Sequence, residues 1–288
     1  MRSNLETPAA APSHPSLQRV ALDLVRGAFL ELYLSPKPGL VDLYDCGSHP
    51  DLSVARMEMS LRIVSCYLHD LCDALYAGES LAAQVRLGTA AERAMLRRIG
   101  TNCHRGYIFL SGLLLAASAQ VADDDEAALS GSIAGLAERL FARGEHGQSN
   151  GSQARARFQA GGIKAEALAG LPSLFEQALP AYRGEIAVSR NRGSAVFAML
   201  GRLMENVEDT TALHRCGTEG LRTLRRDGEK LQRLVADRED YLAWLAARNE
   251  HYVRENLTMG GVADLLALGF ALLSHSGELT GKSGSGWK

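Results

Sequence analysis

The sequence predicts an all-α protein, a single-domain helical bundle whose polar helix termini and loops converge on one cleft. Three observations carry that prediction. Alternating β-branched runs bounded by turns are absent, while Ala, Leu, Arg and Glu recur at helical spacing. Greasy helical stretches alternate with short polar knots, four of which fall at helix ends. A hydrophobic fraction of 46% with 22% charge over 288 residues suffices for a sizeable core.

In chain order, residues 1–16, with Pro8, Pro12 and Pro15, read as a disordered leader, 17–276 as the domain and 277–288 as a flexible tail. Leu17 to Leu34 forms an amphipathic helix with Val20, Leu24, Ala28 and Leu32 on one face. Ser35-Pro36-Lys37-Pro38-Gly39 stops it, because two prolines and a glycine forbid continuation. A polar loop to Asp51 follows, then helices over 53–77 and 81–98, the latter closed by Gly100. Tyr107 to Ala119 is apolar on all sides, the pattern of a buried helix. At roughly 20 Å it is too short to span a bilayer. Asp123-Asp124-Asp125-Glu126 enriches the next helix start with negative charge. Arg143 to Arg157, rich in Gly and Ser, reads as a mobile segment over a site. Pro172 opens a helix through Tyr182, and further helices run over 195–206, 237–256 and from Gly260-Gly261 to about His275.

A formal net charge of −2 argues against general affinity for nucleic acid or membranes. Five cysteines (46, 66, 72, 103 and 216) form no Cys-x-x-Cys pair and no secretory segment precedes them, which suits reduced thiols in the cytoplasm. A homodimer is compatible with the chain.

The knots hold the candidate chemistry. Asn102-Cys103-His104-Arg105-Gly106 precedes the buried helix, where unpaired amides and the positive end of the helix dipole suit phosphate oxygens. The loop after the first helix places Lys37, Asp42, Asp45, His49 and Asp51 within fifteen positions. Glu208-Asp209-Thr210-Thr211 leads to His214-Arg215-Cys216-Gly217, and Gly260-Gly261 allows close backbone approach to a ligand.

Ser35-Pro36-Lys37-Pro38-Gly39-Leu40-Val41-Asp42 with Gly47-Ser48-His49-Pro50-Asp51 resembles the signature of triphosphoribosyl-dephospho-CoA synthases. The resemblance continues at Gly88, Ala91-Glu92, Asn102 to Gly106 with Ile108-Phe109, Glu166-Ala167, Gly170, Pro172, Asp209-Thr210, Leu213-His214-Arg215, Gly217 and Gly260-Gly261 with Ala263 to Ala267. Those enzymes make the prosthetic-group precursor of citrate lyase and malonate decarboxylase carrier proteins. The resemblance implies a pentosyl transferase that displaces adenine from ATP and attaches the 5-triphosphoribosyl group to the ribose 2-hydroxyl of dephospho-CoA. It implies Mg²⁺ with ATP, held by Asp42, Asp45 and Glu92. Asp209 and Asp51 would serve as base or cation stabiliser, and His49 as proton donor. Lys37, Asn102, His104, Arg105, His214, Arg215, Gly260 and Gly261 would bind substrate. The family usually has other residues at Cys103, Thr211, Cys216, Val262, Leu52 and Lys164-Ala165, which puts the acceptor in question. The competing readings are transfer to another acceptor such as a one-carbon cofactor precursor, hydrolysis of the N-glycosidic bond, and a non-catalytic nucleotide-binding helical module.

Overall fold

The structure, a computed structural model, describes residues 14–121, 125–142 and 160–279. Most of the expected leader, the tail beyond 279, the whole of Arg143 to Arg157 and the run at Asp123-Asp124 lie outside the described residues. Among those described there are eleven α-helices, one π-helical turn and no strand. The helices are α1 (His14–Tyr33), α2 (Val54–Tyr76), α3 (Leu81–Ile99), α4 (Arg105–Ser118), α5 (Glu126–Phe141), α6 (Gly162–Leu168), α7 (Leu179–Ser189), α8 (Arg192–Asn206), α9 (Thr210–Ala236), α10 (Tyr241–Arg254) and α11 (Gly260–His275). The π-helical turn, Ser173–Ala178, runs directly into α7, so the helix expected from Pro172 is there in an altered form.

Helix α4 is the centre. Ten of its fourteen residues are buried, including Leu110, Leu114 and Leu115, as its full-circle apolarity predicts. Truncating one such leucine to alanine costs about 2–5 kcal/mol, because the cavity left behind collapses only in part. Helix α2 packs on it through Tyr67, whose hydroxyl lies where a Cβ on Gly112 would stand, 1.9 Å away.

Helices α1 and α11 form an antiparallel pair. At one end His275 Nδ1 meets Asp23 Oδ2 at 3.1 Å. Midway, Gly27 lies so close to α11 that a Cβ would fall 2.3 Å from the Ala267 carbonyl. Helices α8 and α9 approach in the same manner at Gly201 and Gly228, with Gln232 Nε2 donating to the Ala198 carbonyl at 2.7 Å.

The polar knot around Asp209 departs from the sequence expectation. It opens the longest helix, α9, and only Gly217 breaks the helical backbone, at φ 65 and ψ −160. The stripe Leu213, Leu221, Leu224 and Leu231 carries the helix through that kink by burying one face. No helix among the described residues is long and apolar enough to cross a membrane.

Candidate functional site

The loop between α1 and α2 is held by its own charged residues. Lys37 is buried, and its Nζ donates to the Glu31 carbonyl and, at 2.5 Å, to the Glu31 carboxylate. Asp42 accepts from the Lys37 amide at 3.2 Å, and from the Tyr44 and Asp45 amides at 2.8 and 3.3 Å. Asp45 accepts from the Gly47 amide at 2.6 Å and from Asn249 Nδ2 at 2.7 Å, which ties the loop to α10.

These contacts bear on two expectations. Lys37 is a buried half of an ion pair rather than a free phosphate-binding charge. Asp42 and Asp45 spend their oxygens on the loop, while Glu92, on α3, pairs with Arg105 at 3.3 Å and accepts from Asn102 Nδ2 at 3.1 Å. The three acids do not come together, and no group of three or more His, Cys, Asp or Glu side chains among the described residues could hold a metal ion. The residues expected to hold magnesium are thus not gathered into one cluster, and each would meet the ion as a separate carboxylate.

The second knot is built on Arg215. Its Nη1 donates to the Ser48 carbonyl at 2.6 Å and to Asn256 Oδ1 at 3.0 Å, and Nη2 reaches His49 Nδ1 at 3.1 Å. Arginine can only donate, so His49 Nδ1 accepts. Its Nε2 therefore carries the hydrogen and donates to Thr258 Oγ1 at 2.9 Å. Burial, and then the Arg215 charge, lower the His49 pKa to about 4. Both ring nitrogens are thus engaged, with the single ring hydrogen directed at Thr258. Asp51 is exposed and acts electrostatically on both His49 and Arg215.

Three helix starts meet beside these knots. Asp209, fully buried, caps α9 by accepting from the Thr211 and Ala212 amides at 2.8 and 3.0 Å. Its other oxygen accepts from the Val262 amide at 3.0 Å. Asp209 thus clamps the starts of α9 and α11 together. Gly261 sits against this carboxylate and Gly260 against Thr211, so both glycines serve close packing.

One turn further along α11, Asp264 faces the start of α4. A Cβ on Gly106 would stand 1.9 Å from Asp264 Oδ2. Unlike Asp209 it keeps partial exposure. Burial raises its pKa well above the usual carboxylate range, and the charges of Asp209 and Glu31 add to the effect.

His104, which precedes α4, is 6% exposed and places Nδ1 2.6 Å from Ser60 Oγ. Burial and then the nearby Lys37 charge lower its pKa to about 4. Asn102 Oδ1 is buried without a partner, an orphaned acceptor at the start of the central helix. Cys103 packs near the Met95 sulfur at 4.0 Å, and burial raises its thiol pKa.

The structure thus links Lys37, Asn102, His104, Arg105, Asp209, Gly260 and Gly261 around the starts of α4 and α11. His49 and Arg215 join them through Thr258. Asp42 joins only through the Lys37 amide, Asp45 stays with the loop and Asn249, and His214 is exposed on α9. Sequence reasoning missed Glu31, Ser60, Thr258 and Asp264. A carboxyl in the first turn of an otherwise greasy helix was the available signal for Asp264, whereas nothing in the sequence marked Glu31 or Ser60. A cavity of about 760 Å³ begins beside this region at Cys216 and Leu257 and runs between α9 and α10 to Arg226, Trp244 and Arg248.

A profile of the ATP:dephospho-CoA triphosphoribosyl transferase family matches residues 17–283. The 2-(5''-triphosphoribosyl)-3'-dephosphocoenzyme-A synthase of Pectobacterium atrosepticum is 34% identical over 277 residues, covering 91% of this chain and 89% of that protein. Probable synthases of the same name are 33% identical in Azotobacter vinelandii, over 88% of this chain and 90% of that protein, and in Pseudomonas paraeruginosa, over 96% and 97%. No solved structure matches.

Proposed function

The chain belongs to the ATP:dephospho-CoA triphosphoribosyl transferase family, and from that premise we propose that it moves the triphosphoribosyl group of ATP onto dephospho-CoA and releases adenine. The observation that carries this reading is the family match over residues 17–283, which takes in every group gathered at the starts of α4, α9 and α11. In the reaction the C1′–N9 bond of ATP breaks and its electrons leave with adenine. A bond then joins C1′ to the acceptor's ribose 2-hydroxyl oxygen. The hydroxyl loses one proton and adenine gains one, while all three phosphates travel with the sugar.

The protein must hold a polyanion, tolerate positive charge at C1′ and supply adenine with a proton. Arg105, Arg215 and the start of α4 answer the first need by charge and dipole. The orphaned Asn102 Oδ1 supports a ligand N–H at the same place. Asp51 is the exposed carboxylate beside Arg215 that remains for the cationic sugar. To Asp264 we assign the third need: burial raises its pKa well above the usual carboxylate range, the direction a general acid for the departing base requires. Magnesium enters on this reading with ATP, carried on the triphosphate.

Incubation with ATP and magnesium, with and without dephospho-CoA, followed by chromatography of free adenine, tests the reading. Adenine is expected only when dephospho-CoA is present. Its release without acceptor would mean hydrolysis, and its absence throughout would end the proposal for this acceptor.

A further inference from the structure

We propose that His104 is the base that takes the acceptor's hydroxyl proton, through an Nε2 lone pair that Ser60 fixes in place. The argument begins with one hydrogen. Ser60 Oγ donates its only hydrogen to the Met57 carbonyl at 2.7 Å, and the same oxygen lies 2.6 Å from His104 Nδ1. With that hydrogen given to Met57, we assign the ring hydrogen to Nδ1, which donates to Ser60 and has Cys103 Sγ at 3.7 Å as its second neighbour. A neutral imidazole so arranged has its lone pair on Nε2. Nε2 has no hydrogen-bond partner among the described residues, although the ring is 6% exposed. An unpaired ring nitrogen next to a helix start, still open to a ligand although most of the ring is buried, is an acceptor available for a ligand's hydrogen.

The surroundings keep the ring in this form. Lys37 with its partner Glu31 faces it from α1 and the following loop, Ser60 from α2 and the Met95 sulfur from α3. Cys103 and Arg105 adjoin it in its own segment, and Asp264 of α11 lies against the next turn. Burial and the Lys37 charge hold the ring neutral down to about pH 4, so the base form is present throughout the neutral range. Arrival of the triphosphate would oppose the Lys37 charge and make Nε2 more basic when the acceptor is in place. A lone pair on Nε2 also repels phosphate oxygens, so this role replaces the phosphate contact that the sequence suggests for His104.

The step balances and rests on the transfer reading above. The hydroxyl proton moves to Nε2 while its oxygen bonds to C1′ and the C1′–N9 bond opens. Adenine takes the Asp264 proton. The imidazolium then returns its proton to the Asp264 carboxylate, directly or through water, and both groups regain their starting state.

The first test needs no substrate. Long-range ¹⁵N–¹H correlation spectra of the full chain with labelled histidine should show the Nδ1–H tautomer of His104 at pH 7, neutral until the pH falls towards 4. An Nε2–H tautomer, or protonation near ~6.5, the ordinary histidine value, overturns the proposal. The second test is turnover. His104→Gln should lower kcat by about 10² or more, the usual size of a lost general base, with ATP affinity unchanged. Ser60→Ala should leave a mixture of tautomers and a smaller loss in kcat. Weakened ATP binding with kcat preserved in His104→Gln would return the residue to phosphate binding. Failure of the wild-type protein to release adenine with dephospho-CoA strikes at the transfer reading, whereas unimpaired release by His104→Gln strikes at the base alone.

Discussion

Two aspartates and two histidines divide between two regions, one saturated and one open. At the joint of α9, α11 and the Arg215 knot, Asp209 accepts from three backbone amides and His49 has both nitrogens engaged. At the start of α4, Asp264 lies against Gly106 without a comparable set of amides, and both side-chain contacts of His104, with Ser60 and Cys103, fall on Nδ1. Residue type is the same in both regions. What separates them is whether the protein itself has already used the lone pairs. A group whose hydrogen bonds are complete holds the chain together, and a group left incomplete is free to act on a substrate.

The largest effect expected from that contrast is on rate. Asp264→Asn should slow adenine release by about 10³, roughly 4 kcal/mol of barrier, with the melting temperature nearly unchanged. Because Asp264 acts as an acid, the wild-type rate should fall as pH rises through its raised pKa, and Asp264→Asn should lack that limb in a pH–rate profile. A near-normal rate in this variant would erase the distinction between the regions.

Next comes acid stability. His49 and His104 titrate at about 4 in the fold against about 6.5 in an unfolded chain, so the unfolded state binds protons first as pH falls. Stability is full above pH ~6.5 and should decline towards pH ~4 by up to about 3 kcal/mol per ring, then level off. Asp264, raised rather than lowered, works in the opposite sense, so urea unfolding at several pH values is best read in the Asp264→Asn background.

Asp209→Asn sharpens the other side. It sets an amide N–H against buried backbone N–H groups and should cost about 2 kcal/mol of stability in chemical denaturation, more than it costs in kcat. The smallest effect is at Arg215→Lys, which keeps the charge but loses the fork to Ser48, Asn256 and His49. A rise in KM for ATP of about tenfold, near 1.4 kcal/mol, with kcat little changed is the expected kinetic signature.

Much of the fold was legible because burial leaves a periodic trace. The all-round apolar run of α4 and the Gly100 stop, left-handed at φ 84, needed no tertiary information. Helix α9 was not legible at its start, since a cap, a histidine, an arginine and a glycine read as a loop until Leu213 and Leu221 find a partner to pack against. In the candidate region, the motifs marked the correct knots but not the division of labour. Asp42, Asp45, Asp209 and Asp264 are alike in a string of letters. The number of amides that converge on each is decided by elements distant in the chain, such as α11 meeting α9. Ser60 illustrates the limit, since it lies 44 positions from the ring it orients.

Gly27 carries no charge and touches none of these groups, yet it sets the gauge of the α1–α11 pair. Glu31 follows it by one helical turn, and Ala267, its opposite number, follows Asp264 by nearly one. A methyl group there would act as a shim and wedge the two rods apart at their midpoint. The Lys37–Glu31 couple would then shift relative to Asp264 with no polar atom altered, so the reactivity of the acid is tuned by the thickness of a helix crossing.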